Sequence, residues 1–190
     1  MRPLVIAALL AGLVSVGGGC VSSRPPSRWA VGGAALDLAP ATGTLRGKPV
    51  SIHPHGTWAE VVVGGEVALV LDAAGRVYDP KKNPVALLEP DGRLAGEGDE
   101  LLGLVGASYA APAWRASAWV GVGSDGSALA FDDRGKASAL GAWSGCERSP
   151  QASQACVLVT HLLELRANDG RRRQGTPGIV TPGVGVMIVR

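Results

Sequence analysis

Aromatic residues make up only 4% of this 190-residue chain. A core built on stacked rings is therefore excluded, and the apolar mass has to come from Val, Leu and Ala. Excess charge is missing too: 18 basic residues face 16 acidic ones. Without the first 19 residues the balance is 17 to 16, a net of +1. Such a balance gives no electrostatic footprint for nucleic acid, and no nucleic-acid partner is expected. The apolar stretch Leu4–Val14 has 11 residues, against the ~20 that a bilayer-spanning helix needs. No Ser-His-Asp signature, P-loop or H-E-x-x-H motif is present, so the sequence supports none of the chemistries those motifs carry, and no cofactor is expected.

Cysteine is scarce as well, at three residues, and the first of them is informative. Met1-Arg2 is basic, Leu4–Val14 is apolar, and Val16-Gly17-Gly18-Gly19-Cys20 is small and ends on a thiol. This is the layout of a secretory signal. The block Val16–Cys20 resembles a bacterial lipobox, with Gly17 where that family usually has leucine. The resemblance covers the first 20 residues. It implies that Cys20 receives a diacylglyceryl group, that residues 1–19 are removed, and that the new amine takes a further acyl chain such as palmitate. One chain holds a protein only marginally, whereas two or more hold it stably. In the sorting rule of such lipoproteins, Asp after the cysteine retains the protein at the inner membrane. Val21 stands there instead, so the outer membrane is expected. The alternative is an ordinary secretory signal that contains a cysteine. Residues 20–33, with Ser22-Ser23-Arg24-Pro25-Pro26-Ser27-Arg28 at their centre, have a composition that cannot pack a core and read as a flexible tether.

The remaining 171 residues suffice for one domain with a core. Glycine is abundant, at 28 residues, and apolar runs alternate with acidic-Gly turns: Asp72–Gly75, Glu89–Gly92, Gly123–Gly126 and Asp132–Gly135. Asp or Pro early with Gly last is turn chemistry. Strands are expected at Trp58–Val63 and Glu66–Leu71, hinged on Gly64-Gly65, and at Arg76–Tyr78, Pro84–Leu88 and Leu101–Val105. Further strands are expected at Ala118–Val122, Ser127–Phe131, Ala137–Trp143, Cys156–Arg166 and Val184–Val189. Thr160–Arg166 also reads as a helical turn, but its continuity with Val157-Leu158-Val159 favours a strand. The fold class is mainly β: a single antiparallel domain over residues 34–190, a meander forming a sandwich or small barrel. A polar loop is expected at about 167–182. Arg166 and Arg171-Arg172-Arg173 border it and read as a solvated basic run.

Cys146 and Cys156 are the two cysteines left after Cys20. Export would place them in an oxidising compartment, and the even count predicts a disulfide between them. His53 and His55 sit two apart, as a pair of zinc ligands can, with His161 as the one distant partner. Two surface histidines on a Pro-containing loop is the favoured reading, and no metal site is expected. Gly121–Gly126 matches G-x-G-x-x-G, but a strand follows it rather than a helix, so it reads as a turn. His55-Gly56-Thr57 and Ser144-Gly145-Cys146-Glu147-Arg148 resemble fragments of the L,D-transpeptidase pattern, a periplasmic cysteine enzyme acting on peptidoglycan. That resemblance implies Cys146 as nucleophile, Arg148 as electrostatic helper and His55 as the motif histidine. One residue of the family spacing is missing between Ser144 and Gly145, and Cys156 competes for the thiol.

The sequence thus predicts an exported envelope lipoprotein, lipid-anchored at Cys20 and facing the periplasm or the cell surface. Its role is expected to be binding or structural. Its expected partners are the membrane, through the anchor, and an envelope-protein or cell-wall component. The alternative is the peptidoglycan enzyme using Cys146.

Overall fold

The computed structural model describes residues 24–174, with side chains to Asp169. Cys20 and the expected strand Val184–Val189 lie outside the described residues. The wall is one antiparallel meander of twelve strands. They are β1 (Ala41–Leu45), β2 (Lys48–Pro54), β3 (Trp58–Val63), β4 (Glu66–Asp72), β5 (Arg76–Tyr78) and β6 (Pro84–Leu88). There follow β7 (Arg93–Ala95), β8 (Leu101–Val105), β9 (Tyr109–Pro112), β10 (Val120–Val122), β11 (Ser127–Phe131) and β12 (Ala137–Ser144). Each strand pairs with the next, and β1 pairs with β12, Thr42 opposite Ser144 and Leu45 opposite Gly141, so the sheet closes into a barrel. Closure removes both edges of the sheet.

The acidic turns form as their chemistry dictates. Asp72 Oδ1 accepts the backbone N–H groups of Ala74 and Arg76, and Asp132 Oδ1 accepts those of Arg134 and Lys136. Asp79 Oδ1 does the same for Lys81 and Asn83, a turn not singled out from the sequence. Between β3 and β4, Gly64 and Gly65 both have positive φ, 62° and 91°, as a two-residue hairpin turn requires.

After β12 the chain makes a short 3-10 turn (Cys146–Arg148) and enters a single helix, α1 (Pro150–Gln174). Cys156–Arg166, expected as a strand, belongs to this helix, and so do residues 167–174 of the expected polar loop. Ser149 caps it: its Oγ accepts the N–H of Ala152, and Pro150 sits at the first helical position, where its missing N–H costs nothing. The sequence conceals the helix because Ala155–Leu162 are all buried, one after another. At 100° per residue such a run has no solvent face, so the helix is enclosed by the barrel and shows no amphipathic period.

The polar groups of α1 confirm the enclosure, for they reach the wall in several directions. Gln154 Nε2 donates to the Val105 carbonyl on β8, and Thr160 Oγ1 accepts from Trp143 Nε1 on β12. Arg46, in the β1–β2 turn, holds Glu164 through two bonds of 2.6 Å. Arg166 Nη1 donates to the Ala68 carbonyl on β4. The helix therefore enters beside the β8–β9 turn and leaves beside the β1–β2 turn. Gly103, Ala110 and Ala128 on the wall leave room for it. A Cβ on Gly103 would stand 2.8 Å from His161 Nε2. The scarcity of aromatic residues follows: a twelve-stranded barrel has a lumen too wide for side chains alone, and a helix fills it instead.

Residues 24–33 do not hang free as a tether. The Arg24 N–H donates to Glu97 Oε1, the Arg24 carbonyl accepts from Gly98, and the Ser27 N–H donates to Asp99 Oδ1. Arg76 then donates to the carbonyls of Trp29 and Ala30, and Trp29 packs edge-on against Tyr78, ring centres 5.0 Å apart. The segment thus runs over the outside of the wall from the helix-exit end to Ala74 and Leu88 at the entry end. Acidic side chains and exposed carbonyls supply the partners that Pro, Ser and Arg cannot find in a core.

Candidate functional site

Cys146 and Cys156 form the expected disulfide, with S–S 2.01 Å and Cα atoms 6.1 Å apart. Both are almost fully buried. The bond ties the short turn after β12 to the second turn of α1, at the mouth where the helix enters. Ser149 Oγ donates to Asp37 Oδ2, and Ser153 Oγ to the Ala107 carbonyl, at the same mouth.

The residues of the transpeptidase-like pattern do not meet. The Cys146 sulfur is bonded to Cys156 and holds no thiolate, the form a nucleophile needs. His55 lies on the β2–β3 turn, its ring stacked on Trp58 at 4.4 Å, with Glu60 Oε2 3.7 Å from its Nε2. Arg148 is part of the short turn before α1.

The three histidines are also apart. His53 Nε2 lies 2.7 Å from Ser51 Oγ on the outer face of β2, and His55 is outside as well. His161 is inside the barrel, fully buried. Its ring meets Trp119 edge-on at 5.8 Å, and neither ring nitrogen has a hydrogen-bond partner among the described residues. Burial pushes its pKa down to about 4, against the opposing pull of the Leu102 backbone. At neutral pH the ring is therefore uncharged.

A cleft of about 430 Å³ lies at the entry mouth, lined by Ser108, Val122, Arg148 and Pro150, and a larger concavity is at the opposite mouth, where α1 leaves the barrel. A groove of about 620 Å³ opens there. Its floor is apolar, built from Leu101, Leu102, Trp114, Leu162 and Leu165. Its rim is charged, with Glu97, Glu100, Arg166 and Asp169. Burial lowers the pKa of the Arg166 guanidinium, and Asp79 partly restores it. Among the described residues, every large apolar side chain that stands exposed, Val31 excepted, lies between Leu101 and Trp114: these are Leu101, Leu104, Tyr109 and Trp114. Sequence reasoning missed this groove, since its floor joins residues 60 positions apart.

A smaller cleft of about 320 Å³ lies on the outer wall among Trp58, Val70, Asp72, Tyr78 and Lys82. The Lys82 ammonium sits 5.6 Å from the Trp58 ring centre and covers it.

Among the described residues no helix is long and apolar enough to cross a membrane, and no group of three metal-ligating side chains converges. No protein family matches the chain, and neither does any curated protein or solved structure.

Proposed function

We propose that this protein is an exported envelope lipoprotein, held in a bacterial membrane, the outer one, through acyl chains on Cys20, whose barrel has a binding or structural role. The observation that carries the reading is the buried Cys146–Cys156 disulfide. Such bonds form and persist in oxidising compartments, and the leader ending at Cys20 supplies the route to one. The same bond leaves the cysteine-enzyme reading without its nucleophile. The groove at the helix exit is the surface best shaped to receive a ligand: concave, apolar at its floor and polar at its rim.

Metabolic labelling with a fatty acid tests the anchor. Wild-type protein should take up label and sediment with membranes, whereas Cys20→Ala should lose the label and either release the domain or accumulate as precursor. A Cys20→Ala protein that stays labelled and membrane-bound would overturn the proposal.

A further inference from the structure

We infer that the barrel lies on the bilayer with a defined face down, the β8–β9 hairpin and the helix-exit groove against the lipid. This rests on the reading of Cys20 as the lipidated residue and adds the orientation of the domain to it. The first observation is the length of chain available. Arg24 is fixed to the Glu97–Asp99 turn by hydrogen bonds of its own N–H and carbonyl, and Ser27 by another. Only three residues, Val21 to Ser23, lie between Arg24 and Cys20, which makes four steps along the chain. A fully extended chain spans at most about 3.6 Å per residue, so the lipid attachment point stays within roughly 14 Å of that turn. A domain hung so short cannot present an arbitrary face to the membrane.

The second observation is what lies beside the fixed point. Glu97 lines the same groove as Leu101 and Trp114. From there Leu104 and Tyr109 continue the exposed apolar surface along β8 and β9, each more than half exposed. Leucine with Trp and Tyr is the composition that settles into the headgroup–acyl boundary. The neighbouring charges are mostly acidic, with Glu97, Asp99, Glu100 and Asp169 against Arg166, so the contact is made by apolar insertion and not by attraction to anionic lipid. Leu162, Leu165 and Arg166 of α1 line this same groove.

The test uses the full protein purified from membranes and reconstituted in vesicles of phosphatidylethanolamine and phosphatidylglycerol, with plain or brominated acyl chains. Mass spectrometry of the N-terminal peptide reports the acyl group on Cys20. Brominated chains should quench roughly one fifth of the emission, the share of one interfacial Trp among the five in the chain. That quenching should vanish in Trp114→Phe and fall at least by half in Leu104→Glu/Tyr109→Glu, with acylation and melting temperature unchanged. Acylated protein without quenching, or with the same quenching in Trp114→Phe, overturns the orientation: another occupant, such as residues 179–189, a second copy or a protein, then covers the face. Absence of the acyl group on Cys20 overturns the anchor reading itself, and the orientation with it.

Discussion

The two mouths of the barrel are built in opposite ways. Where α1 enters, the helix is fastened by a disulfide and by bonds from Ser149, Ser153 and Gln154. Where it leaves, the main fastening is Glu164 to the half-exposed Arg46, with Arg166 on a carbonyl of β4. Around that exit stand an open groove and exposed leucine and tryptophan. The covalent bond at the entry makes the helix part of the wall, which frees the exit to be shaped for something other than stability.

The difference can be broken from its strongest side first. Leu158 is fully buried at the centre of α1, whereas Leu101 is exposed at the exit. Leu158→Ala should destabilise the fold by roughly 2–5 kcal/mol. Leu101→Ala should change it by no more than about 0.5 kcal/mol. Denaturant unfolding of both variants measures the contrast, and equal losses would mean that the helix is not the core.

His161 probes the middle of the same helix through pH. Its folded pKa, about 4, lies below the ordinary 6.5, so the unfolded chain binds the proton first. Stability should be unaffected by this group above about pH 6.5, fall as the pH drops, and level off below about 4. The loss then reaches about 3 kcal/mol, given the size of the shift. Unfolding free energies of wild type and His161→Leu between pH 7 and 4 isolate it: the two profiles should diverge, and parallel profiles would show that the ring is not buried neutral.

At the entry mouth, Cys146→Ser opens a loop whose ends are 10 residues apart. It should cost about 2–3 kcal/mol in the chain-entropy view, and the difference from wild type should disappear once both are reduced. An unchanged melting temperature in non-reducing buffer would show that hydrogen bonds alone close that mouth.

Much of the wall was legible because its signals are local. Gly64-Gly65 and the acidic turns fix hairpins within a few residues, so Trp58–Val63, Arg76–Tyr78, Pro84–Leu88, Leu101–Val105 and Ser127–Phe131 fall where the sequence puts them. The first hairpin, β1 with β2, turns on Arg46-Gly47, both at positive φ, and Arg46 gives no warning of that. Closure of β1 on β12 is a pairing across the whole domain and leaves no local mark. The helix was hidden by its own enclosure, although Ser149-Pro150, a cap followed by proline, was the available sign. The disulfide was readable from the even count that is left when Cys20 is set aside. The groove was not, since Leu101 and Leu162 meet only after the helix has crossed the lumen. Residues 24–33 looked unattached because their partners, Glu97 and Asp99, bind backbone that any sequence would offer.

One consequence follows from the place of α1 in the chain. The element that fills the barrel is synthesised after all twelve strands, and the seam that completes the wall joins residues as far apart as Thr42 and Ser144. A wall finished early would shut out its own filling, so α1 has to arrive before the seam is sewn. Folding of this chain is therefore a concerted event, slow by the measure of its long-range pairings, in which the barrel closes around a helix that follows all of its strands.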